Sequence, residues 1–158
     1  MKRAFLFVTV GVLAVGVFVP GLPAQSSPFV GTWKLNIAKS KFISGAPPKE
    51  QTSTIQTVGD QDQVTVSGTA ADGSPISFKY EVPDKGGAGK FLAGGAFDAV
   101  SGKRIDDNTY ETSLVKGGKE VLHIHSMVSK NGRTMTNTTK GTDDQGRPVS
   151  RVAVWEKQ

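Results

Sequence analysis

His123 and His125 are the only histidines in this 158-residue chain, and they stand two positions apart. In an extended segment that spacing puts both on one face, with Cβ atoms on the order of 7 Å apart. Two imidazoles so placed could share a metal or line a cavity. A zinc site needs a third and usually a fourth ligand at about 2 Å. No His-x-Glu pattern supplies one, and further ligands would have to come from residues elsewhere in the chain such as Asp98, Asp106 or Glu111, which the pattern does not single out. Lumen-lining or surface histidines without a metal are therefore the favoured reading. Lys85-Gly86-Gly87-Ala88-Gly89-Lys90 has the look of a phosphate loop, but Asp84 stands where its first glycine belongs and Phe91 replaces the Ser or Thr that would meet magnesium. It reads as a flexible loop. No serine sits in a Gly-x-Ser-x-Gly elbow, and the absence of cysteine excludes thiol catalysis, cysteine metal sites and N-terminal lipid attachment. No catalytic residue, metal or cofactor is assigned, and the chain reads as a non-enzyme.

The segments that must position these residues are almost all extended. Phe29, Gly31, Trp33, Leu35 and Ile37 alternate with Val30, Thr32, Lys34 and Asn36, the period of a half-buried opening strand. A glycine two residues before a tryptophan lets another group lie close while the indole fills the space beside it. Residues 38–43 make a helical turn at most, because Gly45-Ala46-Pro47-Pro48 stops any helix. Further strands are expected over 51–58, 63–70, 75–82, 91–100, 109–116, 119–130, 133–142 and 147–156, with 103–108 a turn or short strand. Asp72-Gly73, Gly117-Gly118 and Asn131-Gly132 mark tight hairpin turns. The fold class is thus all-β, an up-and-down antiparallel meander of about eight or nine strands. Closure into a barrel removes its two edges.

Met1-Lys2-Arg3, the apolar run from Ala4 to Val19 and Pro20-Gly21-Leu22-Pro23-Ala24 have the three parts of a signal peptide. The run is about 16 residues, short of the roughly 20 that a spanning helix needs, so no stable membrane anchor is expected after cleavage. Residues 1–24 are read as the leader and 25–158 as one domain. The product is expected to be soluble, in a periplasm or extracellular space. Cleavage takes Lys2 and Arg3 from the 19 basic side chains, leaving 17 against 14 acidic ones, so the net charge falls from +5 to +3. The remaining basic residues are scattered singly, without the clustered stripe that nucleic acid calls for. Nothing in the pattern specifies an oligomer. Asn137-Thr138-Thr139 is a formal glycosylation sequon but reads as part of a polar strand.

Phe29-Val30-Gly31-Thr32-Trp33-Lys34-Leu35 and Val154-Trp155-Glu156-Lys157 resemble the two ends of calycin barrels, the lipocalins and the intracellular fatty-acid-binding proteins. Lys39-Ser40-Lys41-Phe42, the stretch from Val128 to Thr136 and Lys140-Gly141-Thr142-Asp143 are similar to a group of exported bacterial lipocalin-like proteins of unassigned function. The resemblance implies a lipocalin-like β-barrel that binds a small, mostly apolar ligand. Gly31, Trp33 and Trp155 are read as its structural floor, with Arg151 or Lys157 as a cation over the Trp33 ring. Two departures stand out. The segment after the first strand is too short and too rich in proline for the helical lid of the fatty-acid-binding proteins. Their carboxylate-holding arginine, two residues before a tyrosine, falls on Ala153 when that tyrosine is matched to Trp155. Arg151 lies one pleat away on the same face, and with His123 and His125 it completes the ligand-binding candidates. A second function remains open, a filled barrel that meets protein partners through loops such as 85–90.

Overall fold

The computed structural model describes residues 27–158, so the expected leader lies outside the described residues. Eleven antiparallel strands form one sheet: β1 (Gly31–Ser44), β2 (Glu50–Val58), β3 (Gln61–Thr69), β4 (Pro75–Pro83), β5 (Gly86–Ala88), β6 (Lys90–Gly94), β7 (Ala99–Asp106), β8 (Thr109–Lys116), β9 (Lys119–Val128), β10 (Thr134–Thr142) and β11 (Pro148–Lys157). Their order in the sheet is β5-β7-β8-β9-β10-β11-β1-β2-β3-β4-β6. The two ends of that order, β5 and β6, are joined in the chain through Gly89, whose N–H donates to the Val100 carbonyl at 2.8 Å. One segment thus pairs first with β7 and then with β4, and the meander wraps into a nearly closed barrel. First and last strands meet as the closure requires, with Leu35 opposite Trp155.

The count of eleven corrects the expected eight or nine, and the difference lies between Pro83 and Asn108. Residues 85–90, expected as a flexible loop, supply β5 and the start of β6. The apolar run 91–100 is cut at Gly94 and Gly95, both at positive φ, where the chain leaves β4. Glycines that break apolar periodicity also permit the crossover, so the same residues that hide these strands make them possible. Gly102 of β7 is needed for close approach, because a side chain there would run into the Tyr110 hydroxyl. That hydroxyl donates to the Pro83 carbonyl at 2.7 Å and ties β8 to the end of β4 across the seam.

The expected helical turn at 38–43 is strand as well. β1 continues through a bulge between Asn36 and Lys41. Asn36 Oδ1 accepts the Lys39 N–H at 3.0 Å, and the Ser40 hydroxyl donates to the Asn36 carbonyl at 2.7 Å while accepting the Val154 N–H at 2.9 Å. Local side-chain bonds replace the missing ladder bonds, and the extra residues bring Phe42 back against the core. Among the described residues no helix is long and apolar enough to cross a membrane.

Candidate functional site

One end of the barrel is sealed. Trp33 is fully buried and its Nε1–H donates to the Phe29 carbonyl at 2.8 Å. Gly31, with no side chain and φ of 140°, leaves room for the Lys157 chain, whose ammonium lies 5.1 Å from the centre of the Trp33 ring. Phe29 meets Tyr110 edge to face at 6.1 Å, and the Arg104 guanidinium lies 5.4 Å and 5.3 Å from these two ring centres. Arg104 pairs with Asp84, its Nε–H donates to the Asp84 carbonyl at 2.7 Å, and its Nη2 stands 3.9 Å from Asp62 Oδ2. Burial pushes the Asp62 carboxyl up from its ordinary pKa, against the hydrogen bond from Thr57 at 3.1 Å, with Asp84 adding repulsion and Arg104 attraction. Burial likewise pushes the Tyr110 phenol up to about 12.

The opposite end is less covered. Phe42, Ile76, Phe78, Phe91, Phe97 and Val149 there are only partly buried. Phe78 stacks on Tyr80 at 6.3 Å, Tyr80 meets Phe91 at 5.8 Å, and Phe91 stacks on Phe97 at 6.4 Å.

Between the ends lies a cavity of about 150 Å³. Alternation decides what faces it. β3 and β4 present Val64, Val66, Phe78, Tyr80 and Val82, whereas β9, β10 and β11 present Ser126, Asn137, Thr139, Arg151 and Trp155 among apolar neighbours. Arg151 has no ion-pair or hydrogen-bond partner among the described residues. Although half-buried by surface area, its guanidinium is surrounded by enough protein that desolvation lowers its pKa. It stays charged, but in a setting that disfavours the charge. Asn137 Oδ1 and Trp155 Nε1 are buried without any hydrogen-bond partner. Unpaired polar atoms inside a barrel are destabilising, and this lumen holds a cation, an acceptor and a donor without partners among the described residues.

His123 and His125 are not part of this lumen. Leu122, Ile124 and Ser126 face inward, so the histidines lie on the outer face of β9, about 40% exposed. His125 Nδ1 lies 3.5 Å and His123 Nε2 3.9 Å from Glu111 Oε1, and His123 Nδ1 lies 3.7 Å from Glu120 Oε1. Among the described residues no group of three potential ligands is arranged to hold a metal ion. The polar atoms that reading the sequence missed are those of Asn137 and Trp155. A signal for Asn137 existed, since Met135 is the lone large apolar residue of β10 and Asn137 and Thr139 share its parity.

A second, more open depression of about 430 Å³ outside the sealed end is bounded by Ser27, Pro28, Asp84, Arg104, Asp107, Asn108 and Lys130. Its arginine is already engaged by Asp84.

No protein-family model matches the sequence, and no curated protein matches it. Among solved structures, the chain is similar to the zebrafish ileal bile acid-binding protein, solved in complex with cholic acid. The likeness covers 84% of this chain and 100% of that one, at 14% sequence identity and a TM-score of 0.45. So distant a likeness assigns no ligand here.

Proposed function

We propose that the protein is an exported, lipocalin-like binding protein that encloses a small, mostly apolar ligand bearing an acidic group, with Arg151 as the partner of that group. The observation that carries this reading is the Arg151 guanidinium, without an ion-pair partner among the described residues, on the wall of a cavity of mixed apolar and polar lining whose one carboxyl, Asp62, is engaged by Thr57 and Arg104. An anion arriving there makes a charge-assisted hydrogen bond in a low-dielectric setting, where such bonds are strongest. The ligand enters at the less covered end, past Phe42, Phe91 and Phe97, because the other end is filled by Trp33, Phe29 and Tyr110. His123 and His125 take no part. The leader pattern of residues 1–24 supports delivery to a periplasm or the extracellular space, and no catalysis is assigned. The competing filled-barrel reading loses its loop, since residues 86–88 and 90–94 are strand.

Native mass spectrometry of the mature protein, purified gently from its own host, tests the proposal. A retained small acid that Arg151→Met releases supports it. A bare mass in repeated preparations, together with no uptake of added apolar acids, sinks it.

A further inference from the structure

We propose that the ligand is a planar aromatic acid of one or two rings that also carries a hydroxyl group, and that Asn137 and Trp155 form the subsite that reads this hydroxyl. The inference rests on the binding function proposed above and names the class of molecule bound.

Three observations converge on it. The first is the pairing of the lumen wall. Asn137 stands opposite Ser126 on β9 and Ala153 on β11, Thr139 stands opposite Arg151, and Met135 opposite Trp155. Asn137 is therefore the diagonal neighbour of both Arg151 and Trp155 on one sheet face, at about 7–8 Å between backbones. Its Oδ1 is an unpaired acceptor and Trp155 Nε1 an unpaired donor, both buried. One hydroxyl satisfies the two together, donating its hydrogen to Asn137 Oδ1 and accepting the indole N–H on its oxygen. A carboxylate serves only the donor, and an alkyl chain serves neither.

The second observation is what faces this wall. In the sheet order β4 lies about half-way round from β10 in either direction. It presents Phe78 and Tyr80, whose rings are stacked at 6.3 Å with only 12° between their planes. Two nearly parallel, stacked rings offer an aromatic surface that another ring can join by offset stacking or edge to face, which a flexible chain cannot do.

The third is size. A cavity of about 150 Å³ matches the volume in which an apolar protein interior holds a single benzene ring, and leaves room for substituents. That volume favours such a molecule over a four-ring skeleton or a long alkyl chain. The ligand then lies with its acid on Arg151, towards the less covered end, its ring on Phe78 and Tyr80, and its hydroxyl deeper, between Asn137 and Trp155.

Calorimetric titration of the mature protein with 2-naphthoate, 6-hydroxy-2-naphthoate and decanoate tests this, with the neutral two-ring dye 2-methylnaphthalene as a fluorescent probe of the cavity. A site that hydrogen-bonds a hydroxyl rejects the analogue lacking it, so the hydroxylated acid is expected to bind at least about tenfold more tightly than its parent. Asn137→Leu and Trp155→Phe should each bring that ratio close to one while the dye still binds, and Arg151→Met should weaken both aromatic acids alike. A ratio near one in the unaltered protein overturns the inference, as does a ratio that survives both substitutions. If decanoate binds as tightly as the aromatic acids and the hydroxyl brings no preference, the aromatic class and the hydroxyl subsite both fall while the binding function stands. If neither the dye nor any of the three acids binds, the binding function itself falls with it.

Discussion

The two tryptophans divide the barrel into regions built for different ends. Trp33, in the sealed end, is wholly buried, its N–H is bonded to the Phe29 carbonyl and its ring lies under Lys157. Trp155, on the lumen wall, is nearly as buried, yet its N–H has no partner. The contrast extends to their neighbours. Arg104 at the sealed end pairs with Asp84 and lies over two rings, whereas Arg151 in the lumen has no partner among the described residues. Where every polar group is answered, the structure gains stability. Where several are left unanswered, it gives up stability, and on the proposed function gains a means of recognition. The same residue types are fully partnered at one level of the barrel and left without partners at another, which is where the proposed function places binding.

The largest effect that can break this comparison is at Trp33. Trp33→Ala is expected to lower unfolding stability by about 3–5 kcal/mol, the usual range for losing a buried aromatic side chain. Urea denaturation measures it, and a loss below about 1 kcal/mol would show that the sealed end does not carry the fold. At the lumen wall the sign reverses. Asn137→Leu removes a buried acceptor that has no partner, so it should raise the stability of the ligand-free protein by about 1 kcal/mol. If it instead destabilises strongly, the lumen is under the same structural constraint as the sealed end and the contrast fails.

How much of this the sequence announced depends on whether local pattern or distant pairing decides. The opening strand, the last strand and the hairpins at Asp72-Gly73 and Asn131-Gly132 were legible because alternation and turn chemistry are local. The seam from β5 to β7 was not, because its glycines erase alternation and its pairing is set by β4 and β8. The bulge in β1 was hidden for a related reason, since side-chain bonds from Asn36 and Ser40 replace ladder bonds there. On β9 both parities carry apolar residues, Val121 and Met127 with the histidines and Leu122 and Ile124 opposite them, so the sequence left their facing open. Pairing with β10 resolves it, by setting Val128 opposite Met135 on the buried side. Arg151 was visible as a residue on the face of Trp155, but its lack of a counter-charge is a property of the assembled lumen.

A smaller effect sharpens the account of the sealed end through pH. The Asp62 carboxyl has its folded pKa above the unfolded value, chiefly from burial. The folded state then binds the proton more tightly than the unfolded state. Asp62 therefore contributes a fall in stability as pH rises from its ordinary value of 3.8 through its raised folded value. Asp62→Asn should remove that negative slope. Subtracting the variant's stability-pH curve from that of the unaltered protein isolates the contribution from exposed carboxylates elsewhere. Parallel curves would mean that Arg104 and Thr57 already offset the burial in full.

The smallest effect belongs to the outer face of β9. His123 and His125 are each about 40% exposed, and their contacts with Glu111 and Glu120 span 3.5–3.9 Å. Surface ion pairs of this kind contribute little. Replacing both histidines with alanine should change stability by no more than about 0.5 kcal/mol and leave uptake of an apolar acid unchanged, because the β-strand period directs both side chains away from the lumen. Paired denaturation and ligand titrations check this. A double variant that loses binding while remaining folded would mean that the outer face of β9 communicates with the lumen, and the division between binding wall and solvent face would have to be redrawn.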